Sequence, residues 1–267
     1  MTQVMPRRST HGRDVFIRQL VWLVPVIVLA VIIGLSYVSG SFYFPPAGRV
    51  WEAFREEWLF ARVPTDLLPS LYRMFTGYLV GCVLAILVGL VLGLVPWLAH
   101  ATRPIVEFFR AIPPAILIPI AMIVFGLGDE MKISVIAFAA FFPVLLNTVD
   151  GVLGVDKTTA EMSRSYGVPA FGRLLHVILP ATLPRILAGM RISLALAIVV
   201  MVVTEMFGGG NGIGYFILEQ EKAFKIPGMW GGVILIGLIG FLANVLFVVV
   251  EKRILFWYDL NSQGSGK

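Results

Sequence analysis

Six stretches of this chain are apolar over a length that matches a lipid bilayer: residues 20–38, 70–98, 104–127, 133–149, 185–207 and 230–250. Crossing about 30 Å of hydrocarbon takes roughly 20 residues of helix at about 1.5 Å each. A helix satisfies its own backbone polar groups, which lipid cannot do, so these runs are read as membrane-spanning helices. The first and last runs carry no charge, and the second is uncharged after Arg73. The third holds Glu107 and Arg110 near its start, the fourth is short but uncharged, and the fifth holds Arg191 and Glu205. The reading is an all-α integral membrane protein with six transmembrane helices. Its single transmembrane domain covers residues 20–258, preceded by a segment at 1–19 and followed by a flexible tail at 259–267. Charged residues make up 14% of the chain, against roughly 25% in soluble domains, which excludes a water-soluble enzyme. The net charge of +5 is explained by basic residues flanking the apolar runs, so nucleic acid is not an expected partner. The one cysteine, Cys82, lies in an apolar run and excludes an internal disulfide and a cysteine-based metal site. The first run lacks a clear cleavage site and is long enough to span, so no signal peptide is read there.

Lysine and arginine in the loops set orientation. Arg7, Arg8, Arg13, Arg18, Arg103, Lys157, Arg164, Arg173, Arg185, Lys252, Arg253 and Lys267 fall on one side if six runs span. On the other side, Arg49, Arg55 and Arg62 are offset by Glu52, Glu56, Glu57 and Asp66. Both termini and the 150–185 loop are therefore expected in the cytoplasm. Residues 40–68 are expected outside, with an amphipathic interfacial helix at 49–60 that places Val50, Phe54 and Trp58 on one face. Trp22, Tyr43, Trp51, Trp97, Tyr215, Trp230, Trp257 and Tyr258 sit at span ends, where aromatic rings anchor to the interface.

Pro113, Pro114 and Pro119 lie inside the third run. Each removes a backbone donor, which lipid tolerates only where protein or a water-lined cavity covers the freed groups. This helix is expected to be kinked and to face the bundle interior. The glycine-rich stretch 208–214 does not have phosphate-loop spacing and reads as the turn ending the fifth helix.

The loop at 156–180 is the most ordered-looking polar segment. Asp156 is placed to cap a helix running to Tyr166, Gly167 ends it, and Pro169 prevents its return. A second short helix, 170–177, follows with Phe171, Leu174, Leu175 and Ile178 apolar, and Leu179-Pro180 is expected to break it. Helix, glycine turn, helix makes a compact elbow suited to a groove in another protein.

Glu161, Gly167 six residues on, Val177 ten further and then Leu179-Pro180 resemble the EAA loop of bacterial ATP-binding-cassette (ABC) importer permeases. Met162 and Ser163 replace the two alanines, and Val177 the isoleucine. Ala111-Ile-Pro-Pro114, Phe125-Gly-Leu-Gly128, Phe141-Phe-Pro143, Asn147-Thr148 and Gly212-Ile-Gly-Tyr215 extend the likeness to permeases for nitrate, sulfonate and taurine, over roughly residues 65–258. The resemblance implies a type I importer (MetI-like) permease fold in a bacterial inner membrane. It implies a homodimer, two cytoplasmic ATPase subunits that bind ATP and magnesium, and an extracytoplasmic substrate-binding protein. The chain itself is expected to be no enzyme and to hold no cofactor or metal. Glu161, Met162, Ser163, Tyr166, Gly167, Leu179 and Pro180 are the implied ATPase-coupling residues.

Candidates for the translocation pathway are Arg110, Pro113, Pro114, Phe141, Phe142, Met201 and Glu205. Charge at membrane depth is costly and often functional. Arg110 and Arg191 either draw an anion or serve as snorkelling or paired structural groups. Glu205 is near enough to the outer end to pair with Arg73 instead, and the aromatic and methionine residues are alternatively packing. The cargo expected is a small anion such as nitrate, taurine or an alkanesulfonate; a pyrimidine vitamin precursor is the alternative. An ion-gradient-driven transporter would need buried acid relays and paired broken helices, and no aspartate lies in any run. A membrane scaffold without transport activity would not require the kinked helix.

Overall fold

The structure is a computed structural model that describes residues 11–256. The basic cluster at Arg7 and Arg8, the interface residues Trp257 and Tyr258, and the tail at 259–267 lie outside the described residues, as do the side chains of residues 11–22.

The described chain is helical throughout. Helix α1 (His11–Val38) leads through a short loop to α2 (Ala47–Glu56), and two wide π-helical turns, Glu57–Ala61 and Val63–Leu67, pass directly into α3 (Leu68–Leu94). Then follow α4 (Pro96–Arg110), α5 (Ile118–Phe125), α6 (Asp129–Leu153), α7 (Lys157–Ser165), α8 (Ala170–Arg173), α9 (Leu179–Gly208), α10 (Ile213–Lys222) and α11 (Ile226–Ile254). Among the described residues, four segments are long and apolar enough to cross a membrane: Val63–Leu94, α6, Ala170–Gly208 and α11. The broken pair of α4 with Pro114–Phe125 makes a fifth, and the described apolar part of α1, Leu23–Val38, is shorter.

The core is α6 sandwiched between α3 and α9. Its centre is formed by Met74, Ile136, Val144, Leu145, Ala197 and Met201. Close approach of α3 to α6 comes from a stripe of small residues four apart: Gly77, Gly81, Ala85, Gly89 and Gly93. A Cβ on Gly81 would lie 2.5 Å from the Ala137 carbonyl oxygen, so no side chain fits there. In lipid there is no hydrophobic force between helices, and such small-residue stripes let backbones pack instead.

Three expectations are corrected. The run at 104–127 is not one kinked helix: α4 begins at Pro96, and the axes on either side of the break are bent by 80°. Pro114 follows Pro113, whose ψ of 126° is extended, and a residue before proline is barred from the helical region. The second elbow helix does not stop at Leu179-Pro180. After α8 a π-helical turn, Leu174–Ile178, runs on into α9, and Pro180, which has no N–H to give the preceding turn, follows directly on that widened turn without ending the helix. The helix expected at 49–60 ends as an α-helix at Glu56, and its apolar face meets protein: Trp58 is buried edge-to-face on Phe216 at 4.8 Å.

Candidate functional site

The break between α4 and α5 opens a cavity of about 440 Å³. Arg110, Pro113 and Pro114 form one wall, Phe138, Phe142 and Asn147 of α6 another, and Ile192 and Leu196 of α9 close it. Four of the sequence-derived pathway residues, Arg110, Pro113, Pro114 and Phe142, are thus brought together. A second, smaller cavity of about 260 Å³ also has Arg110 in its lining, with Arg103, Glu107 and Asp150, so Arg110 borders both. Arg110 Nε donates to Glu107 Oε2, and both side chains are close to half exposed. Such a pair contributes about 0–1 kcal/mol and does not lock the arginine. Asn147 Nδ2 donates to the Pro143 carbonyl at 2.8 Å. The remaining lining is apolar. A polar solute entering it meets one guanidinium and one amide, which is the pattern that orients rather than envelops a ligand. Phe141 is half-buried against the core and stacks edge-to-face on Phe142 at 5.2 Å.

Met201 and Glu205 lie elsewhere. Met201 is in the core, and Glu205, 0% exposed, is the hub of a polar network at the α9 C-terminal end. Its Oε1 accepts from Ser70 Oγ at 2.7 Å and Arg73 Nη1 at 3.0 Å, and its Oε2 from the Gly214 backbone N–H at 3.0 Å. Arg73 also reaches Asp129 Oδ1 at 2.7 Å and the Asn211 carbonyl at 3.1 Å. Asp66 Oδ1 accepts from Gly212 N at 2.8 Å, and Lys132 Nζ donates to the Gly209 carbonyl at 3.1 Å. The network fastens the glycine turn 208–214 to α3 and α6. Breaking the buried Arg73–Glu205 pair by removing one partner costs about 3–5 kcal/mol. The part played by Asp66, Ser70, Lys132 and Asn211 was not seen in the sequence. The spacing of Asp66, Ser70 and Arg73 held a signal, since residues four and three apart share a helix face.

The elbow is at the other end of α9. Asp156 accepts from Thr158 N at 3.2 Å and Thr159 N at 3.3 Å, capping α7. Those bonds hold its carboxyl below the usual aspartate range. Gly167 takes φ +70°, the left-handed conformation that turns the chain from α7 to α8. Tyr166 is 86% and Phe171 71% exposed, with Met162 also exposed. Glu161 is exposed, Ser163 is buried, and Leu179 and Pro180 are half-buried where α9 begins. Three large apolar side chains held outward on a capped helix and a fixed turn form a surface fit for docking.

Residues 78–256 match the family described as the binding-protein-dependent transport system inner membrane component. This match takes in the elbow and the residues named for the cavity. The chain belongs to that family. Among its relatives, a Bacillus subtilis protein named as an aliphatic sulfonates transport permease, SsuC, is 32% identical over 238 residues, covering 88% of this chain and 86% of the relative. The nitrate import permease NrtB of Leptolyngbya laminosa is 31% identical, covering 71% and 68%. The taurine transport system permease TauC of Escherichia coli is 28% identical, covering 81% and 80%. The permease is therefore an ABC importer subunit of the nitrate, sulfonate and taurine group. The inward-facing MetNI methionine ABC transporter superposes with a TM-score of 0.61 at 20% identity, over 71% of this permease and 94% of the solved chain. That likeness establishes the MetI-like fold of the permease.

Proposed function

We propose that this permease forms the pathway of an ATP-driven importer for a small anion, and that the elbow at 156–180 couples it to a cytoplasmic ATPase. The observation that carries the reading is the elbow itself: Met162, Tyr166 and Phe171 project from a capped helix and a glycine turn joined without a break to α9. In this reading six helices span a bacterial inner membrane, both termini are cytoplasmic, and two copies form a homodimer. Each copy holds one ATPase subunit, which binds ATP and magnesium, and a binding protein delivers cargo on the opposite side. The relatives named for sulfonate, nitrate and taurine support an anionic cargo, and Arg110 between the two cavities is the group that would attract it. Purification of the tagged permease from its native membrane, with mass spectrometry and an ATPase assay, tests the reading. An ATPase should co-purify and be lost when Tyr166 and Phe171 are replaced by serine. An intact, folded permease that brings no ATPase would overturn it.

A further inference from the structure

The wall of the 440 Å³ cavity beside Arg110 limits which anion it suits. Its capacity for acid groups is small. Arg110 gives its Nε–H to Glu107, and its two Nη groups have no partner among the described residues, so one edge of the guanidinium is left for one acid group. Asn147 gives one N–H to the Pro143 carbonyl and keeps the other. Broken helices in transporters aim free backbone N–H groups at anionic solutes. Here the break falls at Pro113 and Pro114, which have no N–H. Among the described residues no carboxylate lines this cavity; Glu107 and Asp150 line the smaller one.

The rest of the wall is apolar and partly aromatic. The rings of Phe138 and Phe142 stand edge-to-face at 5.0 Å, and Ile192 and Leu196 of α9 complete the lining. The space equals that of roughly fifteen waters at about 30 Å³ each. A four-atom ion such as nitrate fills a small part of it and leaves water against walls with few polar partners. A solute with an ammonium, such as taurine, brings a second charge to a wall with no carboxylate to receive it, which is unfavourable. An uncharged apolar body instead gains about fourfold in affinity for each methylene it buries. An aromatic body gains about two- to tenfold more by packing edge-to-face with the phenylalanines, and it is rigid before it binds.

Resting on the importer reading above, we infer that the cargo is an aromatic monoanion, a ring bearing one sulfonate or carboxylate and no ammonium. Its acid group sits on Arg110 and its ring lies against Phe138, Phe142 and Leu196. Those three residues select the body of the cargo, and Arg110 selects its head.

The test uses the full permease, purified with its ATPase and carrying Ala111→Cys, an exposed position in the lining. Alkylation by iodoacetamide is followed by mass spectrometry of the intact chain at constant ionic strength; Cys82 is buried and stays unlabelled. Benzenesulfonate or benzoate should half-protect the thiol at a concentration about tenfold or more below that of taurine or nitrate. Propanesulfonate, which has the shape of taurine with a methyl in place of the ammonium, should also protect about tenfold better than taurine. Hexanesulfonate, with as many carbons as benzenesulfonate, should protect severalfold less well than the ring. Phe142→Leu should remove that difference, and Phe138→Leu is the second variant if Phe142→Leu does not fold. Ile123→Cys, exposed on α5 outside the lining, should show no protection. Taurine or nitrate protecting as well as benzenesulfonate would overturn the uncharged body, and hexanesulfonate doing so would overturn the ring. No protection by any of them, in a preparation that still holds its ATPase, would overturn the cargo assignment and leave the importer reading standing; a folded permease without an ATPase would overturn the importer reading itself.

Discussion

Gly81→Ala measures how tightly α3 and α6 are held. The added methyl would lie 2.5 Å from the Ala137 carbonyl oxygen and 3.0 Å from the Ala140 Cβ. Carbon approaches a carbonyl oxygen comfortably from about 3.3 Å, so the helices must part by about 0.8 Å. Overpacking of this kind costs about 1–3 kcal/mol. The same substitution also removes glycine's backbone freedom, which stabilises a helix by up to about 1 kcal/mol. Gly237→Ala in α11 receives only that second effect, because nothing lies within 4 Å of its Cβ position. The difference between the two variants cancels the backbone contribution and leaves the contact, so Gly81→Ala should be less stable than Gly237→Ala by about 1–3 kcal/mol. Unfolding in mixed micelles with rising sodium dodecyl sulfate, followed by far-ultraviolet circular dichroism, gives both values. Equal stability, or a more stable Gly81→Ala, would refute the close approach of α3 and α6.

Other outcomes follow from the sites. Gly167→Ala places a side chain at φ +70°, which costs about 1–2 kcal/mol of local stability without any steric clash, and should lower ATPase co-purification while leaving the unfolding of the membrane helices unchanged. Glu205→Ala breaks its buried pair with Arg73, which keeps Asp129 and Asn211, and leaves the Ser70 hydroxyl and the Gly214 N–H without their acceptor; it should cost about 3–5 kcal/mol in the same detergent titration, and a loss under 1 kcal/mol would show that the network is not holding the turn. Arg110→Gln should raise the substrate concentration needed for half-maximal uptake with the ATPase still bound, and unchanged uptake would leave Arg110 a snorkelling residue. Because the Asp156 carboxyl is held below its usual range, its cap is intact above the ordinary aspartate pKa and is lost only as pH falls through the lowered value. Amide exchange at Thr158 and Thr159 should therefore stay slow through mildly acidic pH, and quickening near the ordinary aspartate value would contradict the cap.

Long apolar runs made α3, α6, α9 and α11 legible, because in lipid an apolar run of that length has little choice but helix. The elbow was legible for a local reason: an aspartate cap, a glycine turn and a proline act within a few residues of themselves. The bend at 111–113 was visible as prolines but was read as a kink. Two consecutive prolines force the first of them out of the helical region, so the helix ends instead of tilting. The Glu205 network was half legible. Glu205 and Arg73 are conspicuous charges in apolar runs, but their link to Asp129 and Asn211 joins residues 56 and 138 apart in sequence. No local pattern reports such pairing. The stripe from Gly77 to Gly93 stands in the sequence as small residues four apart, but the helix contact it makes was not read there.

The unbroken passage from α8 into α9 has a mechanical consequence. Residues 170–208 form one run of 39 residues, about 60 Å long at about 1.5 Å per residue. One end bears the elbow, and the other is fastened by Glu205 to the glycine turn. Its midpoint is Gly189, where a Cβ would lie 2.8 Å from the Pro143 carbonyl oxygen, so the rod rests on α6 there. Were the run to rock as a rigid rod, Gly189 would be a fulcrum beside the cavity. Rocking it about Gly189 by about 10° carries each end about 5 Å in opposite directions, given about 30 Å on either side. A push delivered at Phe171 would then arrive at Glu205 reversed in sign, with little change at the pivot itself.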